Sequence, residues 1–94
     1  MQTTNVRCLC CGSRTLTAPG VFELCPVCWW QDDGQDEVDA DVVRGGPNGV
    51  LSLTAARANF LACGASDPRF VGRVRAPLPS ECAAVPSAAL RPAI

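Results

Sequence analysis

The sequence predicts a small α+β domain. It reads as a zinc-ribbon-like β-hairpin carrying two C-x₂-C knuckles, with one helix packed on it and an irregular C-terminal tail. Three observations predict this. Cys8-x-x-Cys11 and Cys25-x-x-Cys28 repeat one short spacing, with thirteen residues between them. A capped helical pattern covers residues 53–63. The chain, at 94 residues, is also short of large apolar side chains. Its hydrophobic fraction of 48% is inflated by thirteen Ala and seven Cys. A domain this small is marginal on burial alone and calls for a staple.

The first element is the turn Cys8–Gly12, where three cysteines crowd into "CLCCG". Thr15–Thr17 and Val21–Leu24 are β-prone runs on either side of Pro19-Gly20. Pro presets φ and Gly accepts a positive one, as a type II turn needs. The two runs are therefore expected to pair as a hairpin. That hairpin would bring both cysteine turns to one end. "CPVCWW" and an acidic segment, residues 32–41, follow. "RGGPNG", residues 44–49, is a dense breaker cluster and predicts a loop.

Ser52 is a good N-cap for a helix over 53–63, and Gly64 a good C-cap. Leu53, Ala56, Phe60 and Cys63 or Gly64 give a narrow apolar stripe, which predicts that Cys63 is buried packing. "SDP" then turns the chain. Residues 1–75 are expected to form a single metal-stapled domain, and residues 76–94 a tail interrupted by Pro77, Pro79, Pro86 and Pro92.

The cysteines carry the chemistry. A C-x-x-C turn places two sulfurs on one side, so two such turns supply four thiolates, the closed tetrahedral set of a structural zinc site. Cys8, Cys11, Cys25 and Cys28 are the predicted ligands. Gly12 permits the backbone after the second sulfur, and Pro26 stiffens the second turn. Cys10 is the spare, packed in the core or free, and Cys82 reads as a free thiol. Buried thiols without metal, and a redox C-x-x-C pair, are the competing readings. The redox pair needs a βαβ context that the sequence lacks. A rubredoxin-like iron site uses the same C-x₂-C-G and C-P-x-C forms, so spacing leaves the metal open between zinc and iron.

Composition excludes much else. There is no His, so neither a Ser-His-Asp set nor a His-ligated catalytic zinc can be built. Four cysteines leave no open coordination position. No enzymatic activity is predicted. Net charge is −1, with six of nine acids inside residues 32–41, and the eight cations are all Arg. That distribution argues against nucleic acid, where phosphates would be repelled. No apolar run approaches a membrane span, and no charged-then-apolar leader is visible, which predicts a cytoplasmic protein.

Two features could serve a protein partner. Trp29 and Trp30 read either as core or as an exposed anchor, one ring for each role, since neighbours in an extended segment point opposite ways. Asp32, Asp33, Asp36 and Glu37 read either as a solvated loop or as a surface for a basic partner. Asn48 and Asn59 are expected to make local hydrogen bonds.

"CLCCGSRTL", "FELCPVCWWQDDG", "GGPN", "SLTAARANF" and "GASDPRF", in this order, resemble the cysteine-rich CPCC domain proteins, small bacterial proteins named for a Cys-Pro-Cys-Cys run. The resemblance covers about residues 7–80. It departs at Leu9, where the family has Pro, and at Ala55, where a Glu is common and would complete a capping box. It implies a zinc-binding ribbon with an added helix and no enzymatic activity. The expected function is a non-enzymatic zinc-binding interaction module, in concrete form an immunity protein or antitoxin that masks a bacterial toxin. A nucleic-acid-binding zinc ribbon and a rubredoxin-like iron protein are the alternatives.

Overall fold

The structure is a computed structural model that describes residues 5–82. Its order is a first cysteine turn, a second cysteine turn, an acidic loop, helix α1 (Leu53–Cys63) and a 3₁₀ helix over Pro68–Arg73. Shorter 3₁₀ turns lie at Glu37–Asp39 and Gly46–Asn48. No described helix is long and apolar enough to cross a membrane.

The expected hairpin is replaced by two ribbons. Among the described residues there is no extended strand. There are three isolated antiparallel bridges, Val6 with Leu16, Leu24 with Gln31 and Val43 with Ser52. Thr15–Thr17 therefore pairs backward across the first cysteine turn, and Val21–Leu24 pairs forward across the second. The physical reason is contact distance along the chain. A closed C-x-x-C turn already brings its flanks together, so each ribbon forms at little further loop cost. The 17–23 connection is then free to be a loop. The Glu23 carboxylate holds it, accepting from the backbone N–H of Thr17 and Ala18 and from the Thr17 hydroxyl.

Helix α1 has the predicted bounds. The Ser52 hydroxyl accepts from the Ala55 N–H at 3.0 Å, and Gly64 closes the helix in the left-handed region at φ 84°. The missing capping-box Glu is offset from elsewhere. The Leu53 N–H donates to the side-chain oxygen of Gln35, and the Thr54 N–H to the carbonyl of Ala40. The unpaired donors of the first turn are thus satisfied by the acidic loop. This is what fixes α1 against it.

One core joins the elements. Cys8, Cys10, Leu16, Cys25, Val27, Cys28, Trp30, Ala40, Leu53 and Ala56 are buried together. Cys63 is not among them. It is exposed, at the rim of a hollow that it shares with Val27 and Phe60. Beyond residue 75 the described chain stays attached through 82. Glu81 pairs with Arg75, and its carbonyl accepts from the Arg14 N–H at 2.7 Å. The later part of the predicted tail, residues 83–94, lies outside the described residues.

Candidate metal centre

Both knuckles use one backbone register. In the first, the Gly12 N–H donates to the Cys8 carbonyl, and the Cys8 N–H to the Ser13 carbonyl. In the second, the Trp29 N–H donates to the Cys25 carbonyl, and the Cys25 N–H to the Trp30 carbonyl. The residue after the second sulfur must turn left-handed in each: Gly12 has φ 83° and Trp29 has φ 72°. Glycine does this freely, whereas a bulky L-residue is strained there.

The two turns bring together the four cysteines that the spacing selects. The sulfurs of Cys8, Cys11, Cys25 and Cys28 all lie within 4.8 Å of one another. Cys8 and Cys28 stand 3.5 Å apart, and Cys11 and Cys25 3.7 Å. A zinc–sulfur bond of about 2.3 Å implies tetrahedral sulfur–sulfur edges of about 3.8 Å. The geometry and donor chemistry therefore fit a single ion. The same distances are far beyond a disulfide bond. Three of the sulfurs belong to buried residues; Cys11 is the half-buried one.

The four thiols also act strongly on one another's ionisation. Hydrogen bonds from Cys11, then Cys28 and Cys8, with a further one from the Thr15 hydroxyl, hold the Cys25 thiol far below the ordinary range. Cys28 is pushed far up, by Cys10 first and then by Cys11, Cys25 and Cys8. Cys8 is also pushed up, chiefly by Cys11 and Cys25. Four thiolates this close repel one another, so the first proton leaves easily and the last is held. A cation among the sulfurs removes that penalty.

A family model, Cysteine-rich CPCC, matches residues 6–81. The chain belongs to the cysteine-rich CPCC family. No curated protein matches it, and no solved structure does. In this CPCC domain Leu9 occupies the Pro position of the first turn. The turn closes without Pro, and Leu9 packs on the core. Cys10, the middle cysteine of the run, is buried in the core beside the four-sulfur group and outside it.

The structure separates the other candidate residues. Trp30 is 1% exposed and shares the core with Leu53 and Ala56, so it offers no anchor to a partner. Asp32 is 3% exposed, and its two oxygens accept from the N–H groups of Gly20 and Gly34. It ties the 17–23 loop to the acidic segment and does not face a partner either. Asp33 accepts from the Gln35 N–H, and Asp36 caps the short 3₁₀ turn with Asp39 in a reciprocal box. Glu37 pairs with Arg57 at 2.6 Å, and Asp39 with Arg44 at 2.7 Å. The acidic run is thus a bonded loop organised around the buried Gln35, whose amide donates to the carbonyls of Asp39 and Val42.

Trp29 remains at the surface, half-buried. With Leu24, Pro47, Leu51 and Phe70 it lines a notch of about 160 Å³. Its ring lies 6.5 Å from that of Phe70, and the Arg69 guanidinium lies 4.8 Å from the Phe70 centroid. Asn48 holds the wall, exchanging both its amide groups with the backbone of Gln31. Asn59 donates to the Ser66 carbonyl. Sequence reasoning missed Gln35 and Thr15. Neither residue type signals its role, because each acts on an element distant in sequence.

Proposed function

We propose that this chain is a non-enzymatic, zinc-stapled protein-interaction module. The observation that carries the reading is the convergence of Cys8, Cys11, Cys25 and Cys28 at tetrahedral spacing inside the core. An ion held there supplies a cross-link between the two ribbons, which the modest apolar core needs. Four sulfurs leave no position for substrate, and the sequence has no His to act as a base. A closed tetrahedral four-thiolate set suits zinc and rubredoxin-type iron alike; zinc is the metal of this proposal and iron its alternative.

The interaction half of the reading rests on the Trp29 notch. A strained, half-exposed Trp beside Phe70 and a cation is the kind of feature that recognition selects. Immunity against a toxin is one form of such a module. Its support was the acidic segment, and the burial of Asp32 and the pairing of Glu37 and Asp39 weaken it. A phosphate track gains little support either, since of the cluster Arg69, Arg73 and Arg75 two members are paired to carboxylates, Arg69 to Asp67 and Arg75 to Glu81.

Metal analysis of protein purified without added metal tests the first half. About one zinc per chain is expected, with loss of the folded signal on chelation. Folded, metal-free protein overturns the reading, and a red protein with visible absorption assigns iron. For the second half, a stoichiometric protein should be recovered by wild type and lost with Trp29→Ala. Recovery of none contradicts it.

A further inference from the structure

The four sulfurs are not equivalent in what surrounds them. Cys25 belongs to a fully buried residue and accepts a hydrogen bond from the Thr15 hydroxyl at 3.0 Å. A hydroxyl donor is thus aimed directly at one sulfur of the cluster. Cys11, across the 3.7 Å edge from Cys25, is the sulfur whose residue is not buried. Thr15 is placed by the first ribbon: its neighbour Leu16 pairs with Val6, and its own N–H donates to the Ser13 carbonyl. A residue of the first ribbon thus grips a ligand of the second knuckle.

A thiolate that accepts a hydrogen bond loses some of its electron density to the donor. It becomes a poorer nucleophile, and its position is fixed before the metal arrives. A thiolate on a less buried residue, as at Cys11, is the easier one for an incoming ligand to reach. We propose that Thr15 is a positioning residue that makes Cys25 the anchoring ligand, so that ligand exchange at this centre begins at Cys11. With a metal held, Cys11 would be the ligand that an incoming thiolate or chelator displaces first, and Cys25 the one retained longest. This rests on the metal-centre reading above.

Two measurements on the full-length protein test it, in a Cys63→Ser, Cys82→Ser background that removes the exposed thiols. In the first, zinc-loaded protein is treated with limiting iodoacetamide, which forms a thioether as iodide leaves, and the labelled sulfur is mapped. Cys11 should be labelled first and Cys25 late. In the second, zinc is extracted with a chromophoric chelator, and the cobalt-loaded protein is examined for its sulfur-to-cobalt charge-transfer band. Thr15→Val should speed extraction by about tenfold, the loss expected for a hydrogen bond to a charged group. It should also move the band to longer wavelength, whereas Thr15→Ser restores both.

Cys25 labelled with or before Cys11 overturns the proposal. So does a Thr15→Val protein with unchanged rate and band. If Thr15→Val does not fold, the labelling order in the parent protein and the behaviour of Thr15→Ser decide. Failure of the parent to bind zinc or cobalt at all would sink the metal-centre reading itself, a different result from any of these.

Discussion

In the first knuckle the left-handed position after the second sulfur is Gly12; in the second it is Trp29. The hydrogen bonds around the two turns are the same, donor for donor. The local chain therefore dictates the fold of the first turn. In the second it resists that fold by about 1–2 kcal/mol, the left-handed penalty for an L-residue. Phe22, at φ 65°, adds a second strained residue to the same ribbon. Side chains from afar hold that ribbon in place: Asn48 on the Gln31 backbone, Asp32 on Gly20. The first ribbon is clamped as well, by the Arg57 Nε–H on the Leu9 carbonyl and the Arg14 N–H on the Glu81 carbonyl. The halves therefore differ in backbone strain: the first turn follows local preference, and the second is held against it around a half-buried aromatic.

The largest expected effect treats the halves alike. Cys11→Ser in the first knuckle and Cys28→Ser in the second should each abolish metal binding and cooperative unfolding. A structural zinc contributes roughly 10–16 kcal/mol to comparable small folds. Cys10→Ser should keep the metal. Equilibrium competition with a chelator, followed by circular dichroism, reads all three; metal retained by Cys11→Ser would show that the register of the first knuckle is wrong.

The next effect should separate the halves. Asn48→Ala removes both clamps on Gln31 and should cost about 1–3 kcal/mol. Hydrogen exchange should show the loss as faster exchange at Gln31, Cys25 and Asp32, whose N–H groups are bonded in the second ribbon, with Val6 and Leu16 unchanged. Equal exposure of both ribbons would erase the distinction.

Smaller effects should test the strain. Gly12→Ala should destabilise the metal-loaded protein by about 1–2 kcal/mol. Trp29→Gly should be near neutral in denaturant melts, because relief of the left-handed strain offsets the lost ring contact with Phe70. A large loss at Trp29→Gly would mean that its ring, not the turn, dominates there.

The smallest effect is electrostatic. The hydroxyl and N–H of Thr17 hold the exposed Glu23 carboxyl below its usual range. Arg57 does the same for Glu37. Because these folded-state values are lowered, the stabilisation is full above the unfolded carboxylate range. It is lost as pH falls through the folded values. A gentle decline in stability below about pH 4 is expected, with Glu23→Gln flattening part of it.

Much of the centre was legible in the sequence. The C-x₂-C spacing selected the four sulfurs, because a turn that short can aim its ends only one way. Ser52 and Gly64 bounded α1, because caps act within one turn of themselves. The pairing of Thr15–Thr17 was not legible. A three-residue β-prone run does not say which neighbour it meets, and closure of the knuckle decided for Val6. Cys63 kept the helical period yet is exposed, since a period of 3.6 fixes only roughly which face a residue joins, and the stripe from Leu53 and Ala56 through Phe60 is covered less at its end. Gln35 gave no signal inside an acidic run, because its role is set by α1, whose first N–H lies eighteen residues on.

X-ray absorption at the metal edge of protein purified without added metal tests the central claim most directly. Zinc with four sulfur neighbours at about 2.3 Å is the predicted result. A shell containing nitrogen or oxygen, or fewer than four sulfurs, would contradict it.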